Sequence, residues 1–416
     1  MVSNPKELRL LRRRDLLRGT AGFGAALALT KLTGCNAPES SQATGETGTD
    51  ATDQPIKLGL VAAITGPSAL SGESITRGLE VAIDEINGNG GVMGGRPIEL
   101  VIRDDESTPA KGVAAVRELI EQEKVAVVFG GLDSPVSLAM LPVIHELETP
   151  YMGVWAAATG ITRNDFDPNY AFRVSANDNI VDNFLTRYAS EENGATKVGL
   201  VLINNPWGES NQKGFEQWAP EHNLEIVGVE KFNDGDTDIS AQLSRLRDGG
   251  AETLLLVANA APGAQMMKSL SRLNWDVPVI SHWGISGGRF PELAGEAAGK
   301  VTFVQTYSFF GEQSPVGERV LAALEEKYGL AGPEEILAPV GTANAYDAMH
   351  LVALALETAG DVDGPKLREA FYNLPTYEGL IKTYDPAFTP DNHDALGAFD
   401  YILVQWDGNK IVPLTS

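Results

Sequence analysis

Between residues 56 and 129 short apolar runs alternate with stretches of helical periodicity, and the same alternation starts again near residue 196. The first series places strands at 57–62, 98–102 and 125–129, with helical spacing at 78–86 and 111–121. The second places strands at 198–203, 225–229 and 254–257, with helices at 209–218 and 239–247. A helix long enough to cross over between consecutive apolar strands makes those strands parallel and covers both faces of their sheet. Two α/β lobes are therefore expected, which suits a chain of 416 residues. A later apolar run at 301–304, followed by helical patterns at 315–328 and 344–358, reads as the chain crossing back to the first lobe. The expected division is 56–174 with 303–380 for one lobe, and 175–302 with 381–416 for the other.

The first 35 residues follow a different grammar. Arg13 and Arg14 open a twin-arginine pattern ahead of a modestly apolar run at 21–29, with Lys31 behind it. That run is far shorter than the roughly 20 residues needed to span a bilayer, so residues 1–34 read as an export signal. Leu32-Thr33-Gly34-Cys35 resembles a bacterial lipobox, and Cys35 is the only cysteine. No intrachain disulfide can form, and acylation gives this cysteine a role. Two acyl chains on Cys35 anchor a protein stably where one does not. Residues 35–55 lack the large apolar side chains that folding needs and read as a flexible tether.

The formal net charge is −24, and the signal segment carries more basic than acidic residues, so the remainder is more acidic still. Such a surface repels phosphate backbones and makes nucleic acid an improbable partner. Enzyme and metal signatures fail in turn. The glycine-rich run 88–94 follows a helix and precedes a strand, the reverse of a dinucleotide-binding loop, and reads as a turn. Asp234, Asp236 and Asp238 open like a calcium loop, but Ile239 and Arg245 stand where glycine and glutamate are required; Asp238 or Ser240 reads as a helix cap instead. The five histidines have no ligand-like spacing, and no nucleophile elbow occurs at a strand-to-helix turn. Neither a metal nor a cofactor is expected.

Ligands of parallel sheets sit beyond the carboxyl ends of the strands. The loops expected there are 64–72, 130–136, 153–162, 204–210, 259–263 and 281–288. Ser134 starts a helix after a buried strand, where its hydroxyl and free amides suit an anionic group or simply cap the helix. Trp155, Trp207 and Trp283 each fall in one of these loops and suit a ligand with an apolar or planar part. Asn259 opens another of the loops.

Several stretches together resemble the Leu/Ile/Val-binding protein family, substrate-binding proteins of ABC importers with the type 1 periplasmic-binding fold. They are Thr65-Gly66-Pro67, residues 82–87 with 90–94, residues 104–109, Tyr170-Ala171-Phe172-Arg173, Trp207-Gly208 and residues 235–238. The resemblance covers residues 56–416. It implies two Rossmann-like lobes joined by a three-strand hinge, closing over a solute without catalysis, with a permease and an ATPase as partners. It also implies that Asp133 and Ser134 hold the ligand's carboxylate, and that Trp155, Ala156 and Ala157, with Thr159 nearby, supply further contacts. The match departs from the family pattern at Ala157, where a threonine hydroxyl is usual, and at Trp283, where amino-acid binders carry an acidic residue. Asp178 is the residue that could replace the missing acid. The aromatic lining turns the expected solute toward a carboxylate, an amide or an aromatic acid, with an amino acid as one candidate among them. A ligand-sensing receptor subunit shares the fold, and a membrane-anchored amidase-type enzyme is the remaining alternative.

Overall fold

The computed structural model describes residues 54–414. The expected signal, the expected lipidation site Cys35 and almost all of the expected tether lie outside them. The chain first lays down β1 (Ile56–Ala62), α1 (Ala69–Gly88), β2 (Ile98–Asp104), α2 (Pro109–Glu118), β3 (Val128–Gly130), α3 (Ser134–Glu146), β4 (Tyr151–Gly153) and β5 (Ala171–Arg173). The five strands form one wholly parallel sheet in the order β2-β1-β3-β4-β5. Then follow α4 (Asp178–Glu191), β6 (Lys197–Ile203), α5 (Pro206–Trp218), β7 (Glu225–Phe232), α6 (Ser240–Asp248), β8 (Thr253–Val257), α7 (Ala260–Arg272), β9 (Val279–Ser281), α8 (Phe290–Ala294) and β10 (Val301–Gln305). The last part of the chain forms α9 (Pro315–Tyr328), α10 (Pro339–Ala359), α11 (Gly364–Phe371), β11 (Tyr377–Glu378), β12 (Thr383–Tyr384), β13 (Ile402–Asp407) and β14 (Lys410–Pro413). The second sheet runs β14-β13-β10-β9-β8-β6-β7, parallel except that β13 pairs antiparallel with both β10 and β14.

Burial explains why these strands read as continuous apolar runs. β8 is buried at every position and β6 at all but its first, because helices cover both faces. The first lobe is finished by α10, which packs along α1; Ser74 Oγ donates to the Ala338 carbonyl at 2.6 Å across that contact.

The expected lobe boundaries need two corrections. β10 pairs with β9 and β13, so residues 303–305 belong to the second sheet and the crossover follows Gln305. Residues 381–395 stay with the first lobe. The buried Asp347 of α10 accepts from the Leu380 and Ile381 amides and the Tyr384 hydroxyl, and the Ala395 amide donates to the Arg173 carbonyl at 2.9 Å. Three segments thus carry the chain between the sheets, at 174–177, 306–314 and 396–401.

Arg173 anchors the first of these crossings. It is wholly buried, and its guanidinium meets Asp394 Oδ1 at 2.6 and 2.8 Å, Thr162 Oγ1 at 2.8 Å and the Ala158 carbonyl at 3.0 Å. Asp394 also accepts from Asn177 Nδ2 at 2.8 Å, and the neighbouring guanidinium holds its carboxyl below the ordinary range despite burial. A buried ion pair satisfied on this many sides fixes the loop 156–158 relative to the crossing strands.

Candidate functional site

α3, α5 and α7 follow β3, β6 and β8, so their N-terminal ends open into the gap between the two sheets. The residues at their N-cap positions are Asp133, Asn205 and Asn259. Asn205 caps α5, its Oδ1 accepting from the Trp207 amide at 2.9 Å and the Gly208 amide at 3.1 Å. Asp133 and Asn259 make no side-chain cap. Instead Asn259 Nδ2 donates to Asp133 Oδ1 at 3.0 Å, a bond between the lobes. A second link runs from the Thr159 amide to Ser210 Oγ at 3.0 Å.

Two connected spaces lie in this gap. An outer chamber of about 380 Å³ is walled by Ser68, Ser107, Leu132 and Asp133 of the first lobe and by Asn205, Asp234, Asn259 and Gly284 of the second, among others. An inner pocket of only about 10 Å³ shares Leu132, Asp133, Pro135, Asn205, Asn259 and Gly284 with it, and adds Ser134, Trp155, Ala157, Trp207 and Trp283. The structure therefore brings Asp133, Ser134, Trp155, Ala157, Trp207, Asn259 and Trp283 to one place. The three tryptophans singled out from separate loops form walls of the same pocket.

Trp155 is fully buried, with its Cε3–Cζ3 edge against α10. A Cβ on Gly341 would stand 2.6 Å from Cζ3, so only glycine lets the ring lie there. On the opposite edge the buried Nε1–H has no acceptor. Trp207 packs equally close to Gly284, where a Cβ would come within 2.5 Å of Cη2. Its Nε1 donates to Asp178 Oδ1 at 3.1 Å. His282 Nδ1 accepts the Trp283 amide at 2.9 Å, which places the ring proton on Nε2, and Nε2 sits 3.2 Å from that same Asp178 oxygen. Asp178 and His282 thus tie the Trp207 wall to the Trp283 wall. One turn along α4, Asp182 is fully buried with both oxygens unpartnered, and burial pushes its carboxyl well above the ordinary value.

Three expected site residues do not reach the cavity walls. Ala156 points into the apolar cluster with Val125 and Ala158. Thr159 spends its hydroxyl locally, donating to Asn177 Oδ1 at 3.0 Å and accepting from the Asn179 amide at 3.1 Å. Asp178 is fully buried behind Trp207. Ser134 Oγ accepts the Ala158 amide at 3.1 Å, which leaves its hydroxyl hydrogen to donate.

The chamber is acidic. Asp133 and Asp234 line it, and burial raises both carboxyls. Asp105 lies behind Ser107, whose amide donates to it at 2.7 Å; burial pushes it up to about 7, with the Asp133 and Asp104 charges adding. Neither cavity lining contains a lysine, arginine or histidine. Ser68 lies in the expected loop 64–72, whereas sequence reasoning missed Ser107 and Asp234 as walls, although both fall in loops after strands and Asp234 stands in the calcium-like run. Among the described residues no group of three side chains could hold a metal ion, and no helix is long and apolar enough to cross a membrane.

Two α/β lobes with three crossings and a site shared between them define a two-lobed binding clamp. The model of the periplasmic binding protein family matches residues 55–410, and the chain belongs to that family. It is 24% identical over 360 residues to a Leu/Ile/Val-binding protein homolog of Brucella melitensis, covering 86% of this chain and 93% of that one. A type 1 periplasmic binding protein of Bordetella pertussis superposes with a TM-score of 0.78 at 21% identity, over 86% of this chain and all of its own. A solute-binding protein of an ABC transporter from R. palustris, solved in complex with 4-hydroxybenzoate, gives 0.72 at 22% identity, over 87% and 96% of the two chains.

Proposed function

We propose that this chain is the receptor subunit of an ABC importer. It captures a small organic solute outside the cytoplasmic membrane, closes its lobes on it, and presents the closed form to permease and ATPase subunits without altering the solute. The observation that carries this reading is the convergence of Asp133, Ser134 and Trp155 from one lobe with Trp207, Asn259 and Trp283 from the other on a single cleft. The relative named for leucine, isoleucine and valine and the neighbour holding 4-hydroxybenzoate support a compact solute with an apolar part, which the three indole walls suit. On the same reading the twin-arginine segment directs export and Cys35 carries the lipid anchor.

The test is a thermal-shift screen of amino acids, amides, and aliphatic and aromatic acids and amines. A solute at 100 times its Kd adds about 2.7 kcal/mol of stability, an easily measured shift. The bound solute should be recovered unchanged by mass spectrometry; its conversion would refute the non-catalytic reading. Cys35→Ser should move the protein from the membrane fraction to the soluble one.

A further inference from the structure

We infer that the solute on which this cleft closes carries a net positive charge, a protonated amine, guanidine or quaternary nitrogen held in the chamber between Asp133 of the first lobe and Asp234 of the second. The inference rests on the solute-capture reading and narrows its class. Closure brings these two carboxylates to the wall of one chamber, with Asp105 behind them, and no lining side chain supplies a cation. Asp133 Oδ2 is buried and has no partner. Asp133, partly buried, and Asp234, at the exposed rim of the same chamber, are like charges that oppose closure, and no cation in the lining offsets them until an opposite charge arrives. A cationic solute supplies that charge to both lobes at once, so closure and ligand charge become coupled.

The inner end of the cleft agrees. There the Trp155 Nε1–H has no acceptor and the Ser134 hydroxyl keeps its hydrogen, two donors that suit a neutral oxygen on the solute, beside the unpartnered Asp133 Oδ2. A carboxylate there would gain no cationic partner and would approach the buried Asp178, whose Oδ2 is also unpartnered. Arg173, the nearest buried cation behind loop 156–158, already has its charge matched by Asp394.

The experiment measures binding of matched solutes that share a skeleton and differ only in charge: phenethylamine, phenylalanine, 3-phenylpropionate and 3-phenylpropionamide, with the corresponding branched butyl set beside them. The full chain is titrated calorimetrically with each at low and high salt. The amines are expected to bind at least about tenfold tighter than the zwitterions and amides and to weaken as salt rises, with the acids not bound. Asp234→Asn, an exposed loop change that leaves the fold intact, should remove about tenfold of the amine's affinity and leave the amide's unchanged. Acids binding as tightly as amines, or amides unaffected by the loss of charge, would overturn the inference while leaving solute capture standing. If nothing in any charge class binds, in these sets or in the wider screen, solute capture itself falls.

Discussion

The bond from Asn259 Nδ2 to Asp133 Oδ1 exists only while the lobes are together, because its two residues start helices on opposite lobes. Asn259→Ala deletes the donor and little else. Asn259 makes no side-chain cap on α7, so that helix is scarcely weakened, and the Gly284 beside it gains room. What is lost is a hydrogen bond to a carboxylate that has no other partner on its second oxygen. Such bonds contribute roughly 1.5–3 kcal/mol, and about 2 kcal/mol is reasonable for this partly buried pair. In the open form both groups face water, so nearly the whole loss falls on the closing step. Since the solute is held by the closed form, its Kd should weaken by about 30-fold. Calorimetry with the best solute from the thermal-shift screen gives the Kd. Small-angle scattering at a fixed, sub-saturating solute concentration should show a larger radius of gyration than the parent, with the melting temperature of the ligand-free protein almost unchanged. A Kd within twofold of the parent, with unaltered scattering, would show that the bond does not govern closure.

Asp105 is 1% exposed and is raised to about 7, so the folded chain keeps a proton that the unfolded chain releases as pH rises from about 4 to 7. Its contribution therefore falls across that window and levels off above it; Asp105→Asn, measured by urea unfolding at pH 4 and pH 8, should gain up to roughly 4 kcal/mol at pH 8 and nothing at pH 4. Trp207→Phe keeps an aromatic wall but leaves Asp178 Oδ1 without its indole donor, which should cost about 1.5–3 kcal/mol by chemical denaturation and weaken solute binding. Unchanged stability would mean that His282 alone satisfies Asp178. Arg173→Met leaves Asp394 buried without its cation and should lower stability by about 3–5 kcal/mol; a loss below 1 kcal/mol would show that Thr162 and Asn177 suffice for it.

Both lobes were legible because β1, β2, β6, β7 and β8 are strands of five to eight residues separated by helices of distinct periodicity. β4, β5 and β9 are three residues each and buried throughout, too short to show any period of their own, and β3 pairs over only 128–130 of the apolar run read at 125–129. The boundary at β10 was misplaced for a related reason. An apolar run announces a strand, but which sheet receives it is decided by pairing with β9 and β13, contacts that local sequence does not carry. The β13–β14 hairpin did have a signal, the two-residue turn Gly408-Asn409 between Asp407 and Lys410, with Gly408 at φ +60°.

The cleft divides along the same line. Loop position, with the family resemblance for Asp133, pointed to Asp133, Ser134, Trp155, Trp207, Asn259 and Trp283, and these line one cleft because a residue after a parallel strand faces the carboxyl end of the sheet. The fate of each polar atom was not legible. Thr159 and Ser134 look alike in sequence as free hydroxyls, yet one is absorbed by Asn177 and Asn179 and the other braces the Ala158 amide. Asp178 looks like a substitute for the missing acid of amino-acid binders, but it lies behind Trp207, which takes one of its oxygens. The negative charge that a cationic group would meet comes instead from Asp133 and Asp234, on loops 101 residues apart in sequence that meet only when both lobes are folded and closed. A cleft lined by carboxylates, tryptophans and buried donors is thus selective through closure. The solute that best offsets the repulsion between its two halves is the one that holds them together.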